Sequence, residues 1–302
     1  MHQQFALDQA SQGLWGCQRE IKPPIRECRI QSVTTYNHTV LLILKLTIVP
    51  LFIGLITLVG RKWGSSVAGL IGAFPVVAGP IIIFIALEQG SEFAALTSIS
   101  AISATACLLI FGLAYSWACI RLSWIFALLY ALVAWLILAL ALAMTTPSIG
   151  IALLIAISSL IITPLLLPRI KPTAPPKTKL HDLPWRMLVG ALLTFSVTTL
   201  AGALGEVWSG ILAVFPVIGL VLAVFTHTTL GPTHVTQVYR GMVKGLYSFV
   251  AFFLTLTLLL PKTSILLAVL SSAVVAIVTQ VILQFIARSI TKNQVVKPPA
   301  TR

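Results

Sequence analysis

Nine stretches of about 20 apolar residues occupy most of this chain, at 40–60, 66–89, 93–117, 122–144, 149–168, 184–204, 207–229, 235–260 and 263–288. Coiled as a helix, each matches the thickness of bilayer hydrocarbon, where a backbone must satisfy its own hydrogen bonds. The stretches are too long and too uniformly apolar for barrel strands, which alternate in character over roughly ten residues. An all-α polytopic membrane protein follows. Composition agrees, with 58% of residues hydrophobic and 9% charged, whereas soluble domains carry about a quarter charged residues. A formal net charge of +13 would suggest nucleic acid in a soluble chain. Here the basic residues lie between apolar runs and act as topology signals, so the bilayer is the partner and nucleic acid is not.

Lys and Arg divide unevenly between the two sides. Arg61, Lys62, Arg121, Arg169, Lys171, Lys177, Lys179, Arg186, Arg240, Lys244, Arg288, Lys292, Lys297 and Arg302 share one side, fourteen in all; Arg19, Lys22, Arg26, Arg29 and Lys262 lie on the other, with Lys45 inside the first span. The richer side should be cytoplasmic. Trp63, Trp117, Trp124 and Trp185 fall near the same face, as an interfacial belt would. The expectation is a bacterial inner-membrane protein with its N-terminus outside and its C-terminus in the cytoplasm.

A short passage occurs twice. Gly69-Leu-Ile-Gly-Ala-Phe74-Pro75-Val76 returns as Gly210-Ile-Leu-Ala-Val-Phe215-Pro216-Val217. Displacing the chain by 141 residues pairs Gly64 with Gly205, Phe84 with Phe225 and Gly90 with Gly231, giving seven identities over the 27 positions from Gly64 to Gly90. Duplication explains this better than coincidence. Two four-helix repeats result, at 40–145 and 184–289, joined by a connecting transmembrane helix at 149–168 and a cytoplasmic linker at 169–183. Because five crossings separate corresponding helices, the second repeat is inverted relative to the first. Pro75 and Pro216 then lie near the midplane of antiparallel spans.

The second repeat, through "SGILAVFPVIGLVLAVFTH" and "QVYRGMVKGLYSFVAFFLTLTLL", resembles the small four-helix inner-membrane proteins of the GlpM family, a likeness covering about residues 184–288. That family's pattern carries no catalytic residues, so the resemblance implies architecture and not activity. The pairing of four-helix units is similar in logic to drug/metabolite and small multidrug-resistance transporters. The small multidrug-resistance pattern has a membrane glutamate in its first helix for proton coupling; spans one and six here have no acidic residue.

Outside the repeats, residues 1–39 are polar and lack a signal-peptide core. They read either as an extramembrane tail or as sequence upstream of a true start near Val33 to Leu41, the second being favoured because their basic residues oppose the topology rule. Residues 290–302 form a cytoplasmic tail.

The candidate site follows from the Phe-Pro pairs. Proline lacks an amide donor and frees a carbonyl one turn earlier, so a proline break exposes backbone groups at mid-membrane; a plain packing kink is the competing account. Gly69, Phe74, Pro75, Gly210, Phe215 and Pro216 are the substrate-binding candidates. Secondary candidates are Glu88 and Glu206, at outer span ends where they can guard a vestibule or simply stay hydrated. Arg240 and Lys244, one helical turn apart at the cytoplasmic end of span eight, can hold an anion or serve topology alone. His227 and His234 bracket Gly231-Pro232, but two histidines fall short of a metal site. Gly60 with Gly64 and Gly241 with Gly245 have the spacing of close helix packing.

No nucleophile elbow, zinc-protease helix, phosphate loop or paired Cys motif is present, and no Asp, Glu or His falls at a midplane. The chain therefore reads as a non-enzyme without metal or cofactor. The first functional reading is a secondary transporter or permease-like protein for an unidentified small molecule or ion. The alternative is a non-transporting membrane scaffold or accessory subunit in envelope assembly. A second copy of the chain is an additional candidate partner.

Overall fold

Glycine and proline cut the apolar stretches into helices. The computed structural model describes residues 47–75, 78–145, 148–170, 182–204 and 215–295, all of which belong to one compact unit, Leu41–Arg302. Ten helices and no strands occur among the described residues. They are α1 (47–63), α2 (Ser65–Gly72), α3 (Ala78–Gln89), α4 (Ser91–Ala118), α5 (Trp124–Ala143), α6 (Ile149–Leu166), α7 (Leu183–Leu204), α8 (Val217–Leu230), α9 (Pro232–Leu259) and α10 (Ile265–Val295). The tail at 1–39, most of the linker, Glu206 and Gly210 lie outside the described residues.

Three glycines make the tight helix-to-helix corners. Gly64, Gly90 and Gly231 have φ of 96°, 94° and 88°, a left-handed backbone that a side chain strains. Gly64 thus serves a turn, with open space where its side chain would be; the packing expected of it from its spacing with Gly60 is absent. Gly60 does pack closely, against Ala68. After Gly231, Pro232 takes the first helical position, where its missing N–H costs nothing.

Span two, expected at 66–89, is two helices. Proline 75 cannot donate to the carbonyl one turn back, and its ring crowds that carbonyl. The last turn of α2 closes instead with Phe74 N donating to Ile71 O (3.1 Å), and helix resumes after Gly79 N donates to Pro75 O (2.8 Å). In the second half, Pro216 is the N-cap of α8, so it precedes that helix and does not interrupt it.

Among the described residues, five helices are long and apolar enough to cross a bilayer: α4, α5, α6, α9 and α10 as far as Ile286. A 28-residue helix such as α4 rises about 42 Å, enough to cross a hydrocarbon core of about 30 Å. In α4 and α9, 56% and 61% of the apolar window is buried, against 22% in each of α5, α6 and α10. The first pair is consequently the core of the bundle, and the other three face lipid along most of their surface.

Helix α4 packs on α9, with α3, α5 and α6 against α4, and α2, α8 and α10 against α9. Small residues set the closest approach. A Cβ on Gly69 would overlap the carbonyl of Val238, and one on Gly241 would overlap the carbonyl of Ser66, so α2 and α9 meet backbone to backbone. Gly112 accommodates the ring of Tyr239 between α4 and α9. Along α1 and α7, Gly54 faces Met187, Ile53 faces Gly190 and Arg61 meets Asp182; the two helices run antiparallel.

Candidate functional site

The two Phe-Pro segments are neighbours. A Cβ on Gly72, at the end of α2, would lie 3.2 Å from Leu222 Cδ1 and 3.4 Å from Ile218 Cγ2, in the first turns of α8. Pro75 and Pro216 are buried, whereas Phe74 and Phe215 are half-buried. The ring of Phe215 stands edge-on to Trp135 of α5, with centroids 5.1 Å apart and planes at 77°. Gly69 directs its hydrogen face to α9, as described above. The site therefore draws on α2, α5 and α8.

Backbone groups at this junction are partly used. Val217 N donates to Phe215 O (2.8 Å) and Leu220 N to Pro216 O (2.7 Å). No side chain caps α8. Behind it, Tyr239 Oη donates to Gly219 O (3.2 Å) from α9, which fixes the first turn of α8 against the core. Among the described residues, four side chains carry buried polar atoms without a partner: Trp135 at Nε1, Gln280 of α10 at Oε1 and Nε2, Ser116 of α4 at Oγ and Arg61 of α1 at Nη1.

A second polar cluster lies at the end of the bundle that holds most of the basic residues. Asp182, just before α7, accepts from Arg61 of α1 through Oδ1 and from Arg186 of α7 through Oδ2 (Nε 2.8 Å). Arg186 is 5% exposed; it also reaches Thr229 Oγ1 at 3.4 Å, and its guanidinium lies 5.1 Å from the Phe225 ring centre. Tyr115 Oη and His227 Nδ1 are 3.3 Å apart, and Ser65 Oγ and His234 Nδ1 are 3.4 Å apart. These contacts tie α1 to α7, α7 to α8, α4 to α8 and α2 to α9 at one end.

The secondary candidates separate. Arg240 Nη2 donates to the carbonyls of Leu167 (3.3 Å) and Pro168 (3.0 Å), satisfying the C-terminal end of α6 as a basic residue there should. Lys244 is exposed, so the two side chains have different surroundings. Glu88 is on α3 and its side chain is outside the described residues. His227 and His234 have different partners, and no group of three or more His, Cys, Asp or Glu is placed to hold a metal among the described residues.

Sequence reading missed the Asp182 cluster, Trp135 and Gln280. Asp182 and Arg186 are four apart, a spacing that pairs charges on a helix, and this signal was present. Nothing local marks Trp135 or Arg61, whose partners are far away in sequence. Comparison of the chain with protein-family models, curated protein sequences and solved structures finds no match.

Proposed function

We propose that this integral membrane protein is an inverted-repeat secondary transporter of nine crossings, with its substrate site where the two Phe-Pro segments meet. The observation that carries the reading is the contact of Gly72 with Ile218 and Leu222. It brings the two Phe-Pro segments together from distant parts of the chain, and a paired helix break is a frequent substrate site.

Helix boundaries support the repeat. Moving Ser91–Ala118 by 141 residues lands on Pro232–Leu259, and moving the start of α5 at Trp124 lands on the start of α10 at Ile265. Corner glycines Gly90 and Gly231 share a left-handed φ. The buried stripe Ala127, Ala131, Trp135 and Ala139 of α5 corresponds to Ala268, Ser272, Ala276 and Gln280 of α10, each of them buried. Exchange contacts also match, since α5 of the first half touches α8 of the second while α10 touches α3. The antiparallel course of α1 and α7 is what inversion requires.

The polar ties at the basic end suit a closed cytoplasmic gate. An equilibrium between this arrangement and one opened there would give alternating access about a fixed central site. Reporter fusions after Lys179 and Arg302 should read cytoplasm, and one after Gly90 should read the outside. A periplasmic signal at Lys179 overturns the orientation.

The functional test is flux in proteoliposomes across a panel of small metabolites, for the parent chain and for Pro75→Ala and Pro216→Ala. Each substitution restores a donor and favours continuous helix. Losing about one hydrogen bond to substrate costs on the order of tenfold in flux, while melting temperature should hold or rise. The double variant should lose less than the product of the single losses, because both lesions spoil one cavity. Folded protein with no flux above empty vesicles for any solute would favour the scaffold reading.

A further inference from the structure

We propose that the N-terminus of α8 and the indole of Trp135 together form a binding site for the carboxylate group of a small molecule. The site deepens the transporter reading and rests on its shared cavity. Helix α8 is 14 residues long and begins where the two Phe-Pro segments meet, with no side-chain cap. The first N–H groups of a helix have no intrahelical acceptors, and the helix dipole adds a partial positive charge there. Of the opening donors, Val217 N and Leu220 N are taken by Phe215 O and Pro216 O, and the N–H groups of Ile218 and Gly219 have no acceptor among the described residues.

Trp135 supplies the independent observation. It is 4% exposed, and its Nε1 donor has no partner. An unmet donor at that depth costs about 1–3 kcal/mol, so an acceptor arriving from outside would gain by meeting it. Helix α5 brings this indole against Phe215, the residue leading directly into the α8 N-cap. The indole that carries this buried donor thus lies against the residue two positions before an uncapped helix start, and an acceptor with negative charge suits both.

Neither of the two carboxylates whose side chains are described answers that call. Among the described residues, Asp182 is held by two arginines at the basic end, and Glu92 is exposed at the opposite end, in the first turn of α4. Phe215 and Trp135 offer aromatic walls, which suits a carboxylate carried on an apolar body. The corresponding position in the other half is Ala276, which has no donor, so the two sides of the cavity differ and the ligand has one preferred orientation.

The test uses the full purified chain in detergent. Acetate, butyrate and benzoate are titrated against acetamide, butyramide and benzamide, with melting temperature as the readout, since a ligand bound only by the folded state raises it. At least one carboxylate should stabilise in a saturable way while its amide does not. Trp135→Phe keeps the ring but deletes the donor, and should weaken the apparent affinity about tenfold. Ile218→Pro deletes a first-turn donor where proline is tolerated, and should weaken affinity comparably, which preserves the test if Trp135→Phe fails to fold. Trp63→Phe, far from the junction and exposed, should bind as the parent does.

Equal stabilisation by acids and amides, no stabilisation by any acid, or unchanged affinity in folded Trp135→Phe and Ile218→Pro overturns the site. Carboxylate binding without flux would remove the transporter reading and leave the site standing. Flux of a solute without carboxylate binding would do the reverse.

Discussion

Replacing Gly241 by alanine is expected to cost about 3 kcal/mol or more, the upper range for overpacking a dense interior, and to lower the melting temperature by on the order of 10 °C. The added methyl would meet the carbonyl of Ser66 and crowd Leu70 N at 3.0 Å. Both are backbone atoms of a helix, which cannot rotate away as a side chain can. Gly69→Ala should behave likewise, because its Cβ would strike the Val238 carbonyl and approach Met242 N at 3.0 Å. The two glycines hold the same pair of helices together from opposite sides. Once either substitution has pushed α2 from α9, the second has less left to disrupt, so the double variant should cost clearly less than the sum. Gly150→Ala on α6 is the control: nothing lies within 4 Å of its Cβ, and alanine favours helix by about 1 kcal/mol. Thermal unfolding in detergent, followed by size-exclusion fluorescence, measures all four. Additive losses for Gly69→Ala and Gly241→Ala would mean the two contacts act independently, against the shared interface.

Why the fold was largely legible while the site was only half so can be seen residue by residue. Hydrophobic length marks α4, α5, α6, α9 and α10 without help from packing, because lipid demands an internally bonded helix whatever its neighbours. The Phe-Pro segments announced a break because proline acts on its own backbone. Gly241 and Gly245 announced close packing through their spacing alone. Gly64 deceived, since glycine has two uses, close approach and left-handed φ, and sequence does not say which applies. Arg240 and Lys244 share a helix face by spacing, yet the end of α6 draws one to its carbonyls and leaves the other in solvent. Trp135 reads as one more apolar residue in its helix; only the tertiary arrangement sets it beside Phe215 from 80 residues away. Local physics was readable, and long-range partners were not.

Substituting Asp182 by asparagine should be nearly as damaging as the glycine replacements, for an electrostatic reason. Asp182 is the single carboxylate between two guanidiniums, and its side chain is 18% exposed against 19% for Arg61 and 6% for Arg186. Removing one partner of a buried pair strands a desolvated charge and costs about 3–5 kcal/mol; the partial exposure of Arg61 puts the expected loss near the lower figure. Thr229 at 3.4 Å and the Phe225 ring remain to Arg186, and neither carries a compensating charge. Removing Arg61 is a different matter. Arg61→Met leaves Asp182 with Arg186 through the 2.7 Å contact, so the loss should be about 1 kcal/mol, in the range of a partly solvated pair. Asp182→Asn combined with Arg186→Leu should recover much of the stability, because the stranded buried charge is gone and the leucine fills apolar space. Melting temperatures of the three variants in detergent decide the matter. If Asp182→Asn melts within about 2 °C of the parent, a change worth under 1 kcal/mol, the charge cluster does not hold α1 to α7. In that case the gate proposed at the basic end loses its principal tie. If the double variant recovers stability while flux becomes leaky, the charges contribute to gating more than to holding the fold, and Asp182 is where the two halves are latched.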